Sequence, residues 1–367
     1  MSVIDNEDQK TLAETVRRFV AERSPLSKVR EVITSDKPYD EAVWNQLAEL
    51  GLASLIIPEE FGGAGATLAD LVAALRELGY GLVPSPLIAS AVLAAGTLLG
   101  LDDEEAKQKY LPEIASGELI ATLAVSEPGK EAWIGAKPSV TATGDSLTGV
   151  KQAVVNGAQA GVFLVHASNG AGTGIYLVEA GASGLTVEAD ENLDHIRSTA
   201  RLTFSNTPAR LLAGDAAAAL DKVADLANVV IAAEQSGATK RALEITTEYA
   251  KIRYSFGLPI GSYQGVKHKL ADIYTDWALV DASVRVAVEA IDAGAADASI
   301  AATSARVLSS PAYVNAGKQA MLLHGGIGFT WEHDAHFFYK NAIGDNVLFG
   351  GPTYQQARLA DKLGVTA

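Results

Sequence analysis

The feature that most narrows the fold is a double change of hydrophobic period along the chain. From Asn6 to about Ala115 apolar residues recur at helical spacing, with Leu12, Val16, Phe19 and Val20 on one face and Trp44, Leu47 and Leu50 repeating the pattern. From about Leu119 to Ala213 the texture becomes short, alternating and β-branched, as in Ser139 to Thr143, Gly161 to His166, Gly174 to Val178 and Arg201 to Phe204, with Gly, Asn or Asp between the segments. Helical spacing returns after Asp215 in long stretches, roughly Ala217 to Ile252, Gln264 to Ala293, Asp297 to Leu323 and Thr353 to Leu363. Helices, strands and helices in separate blocks predict an α+β chain. Its expected parts are an N-terminal α-helical domain over 1–118, a middle β domain (barrel or sandwich) over 119–213, and a C-terminal four-helix bundle over 214–367.

Composition excludes several functions. With 48% apolar residues over 367 positions the chain can bury a substantial core. The absence of cysteine removes disulfides, thiolate catalysis and cysteine-held metals. The 29 basic against 44 acidic residues leave a net charge of −15, which repels phosphate backbones and provides no basic stripe for nucleic acid. No apolar run approaches the roughly 18 residues of a membrane span, and no N-terminal leader pattern is evident, so a cytoplasmic protein with no membrane or nucleic-acid partner is expected.

Two glycine-bearing segments carry chemistry. Leu323 to Asp334 reads LHGGIGFTWEHD, where Gly325, Gly326 and Gly328 let backbone approach a ligand closely. Arg253-Tyr254-Ser255-Phe256-Gly257, followed by Gln264, closes one long helix and opens the next. Taken alone, it is also a plain helix end with a favourable Arg and a Gly cap. His324 and His333 could suggest a metal pair, but no carboxylate cluster completes a ligand set, and no metal is expected. Trp331, Phe337 and Phe338 read as core or interface aromatics.

Together with Ile57-Pro58-Glu59-Glu60-Phe61-Gly62-Gly63-Ala64-Gly65, these segments resemble the acyl-CoA dehydrogenase family over nearly the whole chain. The resemblance implies FAD, an acyl-CoA substrate and an electron-acceptor flavoprotein. It also implies FAD contacts from Arg253, Phe256, Gln264, Gly325 and Gly326, given to the neighbouring subunit's cofactor, and from Ser126 beside the chain's own flavin ring. Leu322 stands where the family has a Gln that contacts the adenylate part.

The ring-side half departs from the family. Val125-Ser126-Glu127-Pro128-Gly129 resembles V-T-E-P-G, but the continuation is Lys130-Glu131-Ala132-Trp133 instead of A-G-S-D. Lys151-Gln152-Ala153-Val154-Val155-Asn156-Gly157 stands where the family reads K-x-W-I-T-N-G, so Ala153 and Val155 replace the Trp and Thr that the resemblance puts at the isoalloxazine. Losing a partner from a buried polar group typically costs about 1 to 3 kcal/mol. The family's catalytic Glu, which takes the substrate's α-proton, falls on Phe349, and its alternative helix position on Ala227. Neither can accept a proton.

Two carboxylates are fallback bases. Glu234 lies seven residues beyond Ala227, about 10 Å along a helix, and is expected to be a polar anchor. Asp345, four residues before Phe349, is expected to be solvated or capping.

Intact donated elements beside eroded own-site elements describe a complementing subunit. The pattern is similar to the shorter, base-less subunit of heteromeric bacterial acyl-CoA dehydrogenases of steroid side-chain degradation. It implies an α2β2 heterotetramer with FAD shared at the interface with a homologous, Glu-bearing subunit. Two alternatives stay open: a self-sufficient homomeric acyl-CoA dehydrogenase using Glu234 or Asp345, and a non-enzymatic acyl-CoA-binding or scaffold homologue.

Overall fold

The computed structural model describes residues 6–170 and 172–365. The first block comprises α1 (Glu7–Arg23), α2 (Leu26–Ile33), α3 (Glu41–Glu49), α4 (Leu68–Gly81), a π-helical stretch Ile88–Ala94 continuing into α5 (Ala95–Gly100), and α6 (Glu104–Ala115). The starts are written locally: Asn6 accepts from the Gln9 amide while the Gln9 side chain reaches back to the Asn6 amide, and Thr67 and Asp70 repeat that reciprocal cap at α4.

The middle block contains β1 (Ala121–Ala124), β2 (Thr141–Thr143), β3 (Ser146–Val155), β4 (Val162–Ser168), β5 (Thr173–Glu179), β6 (Leu185–Ala189), β7 (Thr199–Pro208) and β8 (Arg210–Leu211). They form one eight-stranded mixed sheet in the order β6-β7-β3-β2-β4-β5-β8, with β1 parallel to β4. The long β3 and β7 pair antiparallel with a register shift between Lys151 and Val154, which turns Ala153 into a left-handed conformation (φ 49°).

The last block has α7 (Ala216–Ile252), a hairpin of β9 (Tyr254–Ser255) and β10 (Leu258–Pro259), α8 (Gln264–Asp292), α9 (Ala298–Leu323), α10 (Ala335–Val347) and α11 (Pro352–Lys362). Asp215 caps α7, accepting from the Ala217 and Ala218 amides. The α+β class and the helix–sheet–helix order read from the sequence are therefore the observed fold. α10 is an element that the periodicity did not reveal.

The blocks are welded together. α4 crosses α7 at a paired glycine contact, where a Cβ on Gly79 would lie 2.2 Å from the Glu234 carbonyl oxygen and one on Gly237 would lie 1.9 Å from that of Arg76. Only glycine permits backbones this close. The buried Arg76–Asp281 pair, 2.9 Å apart, joins α4 to α8 beside that crossing. From the sheet, the β6–β7 connection pushes Arg197 between α7 and α10.

Candidate functional site

The predicted residues fall into two separate groups. The first lies at one end of the helical bundle. Arg253 follows the last residue of α7 and begins the hairpin, whose turn residues Phe256 (φ 49°) and Gly257 (φ 82°) are both left-handed. That pair of positive φ values is the two-residue turn suited to a twisted hairpin. The hairpin is held by Tyr263 donating its hydroxyl to the Ser255 carbonyl at 2.8 Å and by the Ile260 amide donating to the Arg253 carbonyl at 2.7 Å. Gln264 opens α8 immediately beyond it.

The Gly325–Gly326 turn is drawn to the same end. Tyr249, four residues before Arg253, donates its hydroxyl to the His324 carbonyl at 3.2 Å, and its ring packs on that of His324 at 4.3 Å. Gly325 has φ 64°, and no atom lies near the position of a Cβ on either glycine. Arg253, Phe256, Gln264, Gly325 and Gly326 are all exposed, Phe256 at 97%. Among the described residues neither the Arg253 guanidinium nor the Gln264 amide has a hydrogen-bond partner. Ile252, Tyr254, Leu322 and Phe329, which flank these segments in the chain, are exposed large hydrophobic side chains. A planar cation, an amide and a bare aromatic ring on one apolar surface can receive a diphosphate and an adjoining ring system. Of the other aromatics, Phe337 and Phe338 are core and Trp331 is half exposed. His324 directs Nδ1 to the Ala320 carbonyl at 2.7 Å, and its ring lies 4.2 Å from that of His333.

The second group lies on the sheet. Ser126 is half-buried and accepts the Gln152 amide at its carbonyl (3.0 Å), which fixes it against β3. Its neighbour Glu127 is the hub of a buried network that sequence reasoning missed. One carboxylate oxygen meets Lys151 Nζ at 2.7 Å and the Val140 amide at 2.9 Å, and the other meets Lys130 Nζ at 2.7 Å and the Ser139 amide at 2.6 Å. Burial pushes this carboxyl up, but Lys130, Lys151 and the two amides outweigh it and hold it down at about 2. The available signal was an acid and a lysine of opposite charge in two motifs already singled out.

Val155 is buried, pairs with Thr199 in the sheet, and accepts Thr122 Oγ1 at its carbonyl at 2.6 Å. Phe349 (φ 56°) is also buried, and its ring lies 4.8 Å from that of Trp133. Ala227 is fully buried within α7.

The two fallback carboxylates are both taken by one guanidinium. Arg197 sits 2.6 Å from Glu234 and 2.9 Å from Asp345. Glu234 is thus a polar anchor. Asp345 corrects an expectation, because it is buried in an ion pair and not solvated or capping. Asp194 completes the cluster: it accepts from Asn341 Nδ2 at 3.0 Å, and burial together with Asp345 pushes its carboxyl up to about 6. Arg306 donates to the Asp345 and Leu348 carbonyls from beneath. Among the described residues, no group of three metal-ligating side chains comes together.

The whole chain matches solved structures closely. A Tcur3481–Tcur3483 steroid ACAD variant gives a TM-score of 0.89 at 32% identity, covering 98% of each chain. The ChsE4–ChsE5 complex from Mycobacterium tuberculosis gives 0.90 at 28%, covering 100% of each. The likeness to these ACADs places the chain in a class of flavoprotein oxidoreductases. Family models match residues 6–118 as an acyl-CoA dehydrogenase N-terminal domain and 219–363 as an acyl-CoA dehydrogenase C-terminal domain. Acyl-CoA dehydrogenase IpdE2 of Mycobacterium tuberculosis (strain ATCC 25618 / H37Rv) is 36% identical over 97% of this chain and 98% of its own length. The chain belongs to the acyl-CoA dehydrogenase family.

FAD is the cofactor expected of that family, and this chain fits only part of it. The bundle end carries the unpaired cation, amide and aromatic ring that a dinucleotide tail needs. The sheet side offers Val155 without a hydroxyl and a Phe349 ring already packed against Trp133, so the residues there do not fit a flavin ring.

Proposed function

We propose that this chain is the non-catalytic subunit of an FAD-dependent acyl-CoA dehydrogenase. It assembles as an α2β2 heterotetramer with a homologous subunit that holds the catalytic Glu. The single observation behind this reading is the contrast between the two groups. Both base positions are apolar and buried, and both fallback acids are committed to Arg197. Meanwhile the Arg253, Phe256 and Gln264 side chains face solvent, and among the described residues none of them has a hydrogen-bond or ring partner.

In the reaction, the partner's carboxylate removes the α-proton of the acyl thioester. FAD, held at its tail by Arg253 and Gln264, would supply the hydride acceptor that this chemistry needs. Arg253 pairs with the diphosphate as a planar fork, Gln264 hydrogen-bonds the cofactor from the helix start, and Gly325 and Gly326 allow backbone close to the adenylate end. The first-named structural relative is described as a steroid ACAD and the second as a complex of two chains. These descriptions support a bulky, steroid side-chain CoA ester as substrate and an unlike partner.

Co-expression with a homologous Glu-bearing subunit tests the assignment. The expected result is a colourless isolated chain and a yellow pair that oxidises an acyl-CoA, with turnover abolished by a Glu→Gln change in the partner. An isolated chain that retains FAD and turns over acyl-CoA overturns it.

A further inference from the structure

Resting on that assignment, a second consequence concerns the cleft the chain keeps for itself. Trp133 lies on the segment between Glu127 and Ser139, at the point where the family's short Gly and Ser turn is replaced. The segment turns its indole inward, leaving Trp133 6% exposed and Phe349, which its ring meets, 5% exposed, while Glu131 and Gly135 to Lys137 stay at the surface. Both belong to the same apolar cluster as Val125, Val155 and Ala227. Val155 and both of the family's base positions thus share one continuous core with an indole among them, while Ala153 stays exposed and Ser126 half-buried.

The contact is fastened from both sides. The Ile134 amide donates to the Tyr354 hydroxyl at 3.3 Å, tying the residue after Trp133 to α11. Gln355 donates to the Phe349 carbonyl at 2.8 Å and is itself held by Asn228 of α7 at 3.2 Å. Phe349 and Gly350 are consecutive left-handed residues with φ 56° and 89°. That conformation is disfavoured for a phenylalanine and persists only where the surroundings impose it. The Tyr354 ring covers Gly350 so closely that a Cβ there would lie 2.1 Å from it.

We propose that Trp133 and Phe349 form an internal plug, pinned by Tyr354 and Gln355, which closes this chain's own acyl cleft to thioester and flavin alike. The indole is the planar half of this plug and packs at 46° to the Phe349 ring. Removing the indole therefore leaves an apolar cavity that a free planar molecule can refill, as apolar cavities in protein cores do.

A test that leaves the plug in place keeps Trp133 and converts the other three tryptophans, Trp44, Trp277 and Trp331, to phenylalanine. The plug predicts that iodide does not quench the remaining fluorescence and that octanoyl-CoA leaves it unchanged. Quenching approaching that of a free indole, or an emission change on adding octanoyl-CoA, overturns it. The second arm is Trp133→Gly in the full chain, expected to melt roughly 5–10 °C lower. Millimolar indole should restore the melting temperature of this variant and not shift that of the wild type. A variant indifferent to indole also overturns the plug. Flavin content of the co-expressed pair reports separately on the subunit assignment. A shielded Trp133 in a pair without FAD keeps the plug and removes the assignment, while a quenched Trp133 in a yellow, active pair does the reverse.

Discussion

Arg197 and Glu234 meet at 2.6 Å, with one residue on the sheet's β6–β7 connection and the other in the middle of α7. The same guanidinium engages Asp345 of α10 at 2.9 Å. One cation therefore engages both fallback carboxylates and fastens the middle block to the bundle. Breaking such a buried arrangement from one side leaves charge uncompensated.

Arg197→Met is expected to destabilise the chain by about 3–5 kcal/mol, because Glu234 and Asp345 then face each other without a cation. Urea unfolding of the isolated chain measures this. Glu234→Gln retains most of the packing and is expected to leave acyl-CoA turnover of the co-expressed pair intact. A fall of about 100-fold or more would mark Glu234 as the base instead.

Asp194 gives a pH signature. Its carboxyl, raised to about 6 by burial and Asp345, binds a proton in the folded chain at pH values where the unfolded chain has released it. Its contribution to stability is thus fully present below the unfolded value near 3.9 and is lost as pH rises towards 6. Asp194→Asn lacks this dependence. The stability of the variant relative to wild type should rise by about 2–3 kcal/mol between pH 4 and pH 7, and a constant difference across that window would contradict the assignment.

Arg253→Ala removes the guanidinium without touching the core. In the co-expressed pair, FAD retention is expected to weaken by about 10- to 100-fold, the equivalent of a charge-assisted hydrogen bond. Equilibrium dialysis of the reconstituted complex measures it.

Phe256→Ser addresses the bare ring at the hairpin tip. With 97% of Phe256 exposed, the isolated chain should keep its stability to within about 0.5 kcal/mol. Association with the partner or its cofactor should weaken, as followed by size-exclusion chromatography and flavin content. Unchanged assembly and unchanged flavin would remove Phe256 from the interface.

Legibility in the sequence followed the physics of each element. Long helices such as α7 and α8 and the change of texture at the sheet were readable because a half-buried element must repeat its apolar residues at its own period. α10 was not. Its buried face carries the polar His336, Asn341 and Asp345 while its outward face carries Ile343 and Val347, so apolar and polar residues do not separate by face and no period stands out. The glycine and Arg-x-x-Phe-Gly segments stood out because their chemistry is local. The Arg197 cluster was hidden because its pairs join residues 37 and 148 positions apart, and nothing short of the folded chain sets them side by side. The Trp133–Phe349 contact was hidden in the same way, although each residue had been noticed separately as a departure.

The length of α7 gives the two halves their freedom from each other. Its 37 residues make a rod of about 55 Å, and Ala227 lies about 37 Å from its last residue, Ile252, which Arg253 follows. Changes at sites so distant add without interacting. A lineage could thus wall up one chamber while the far gable kept its original fittings, and no compensating repair was required between them.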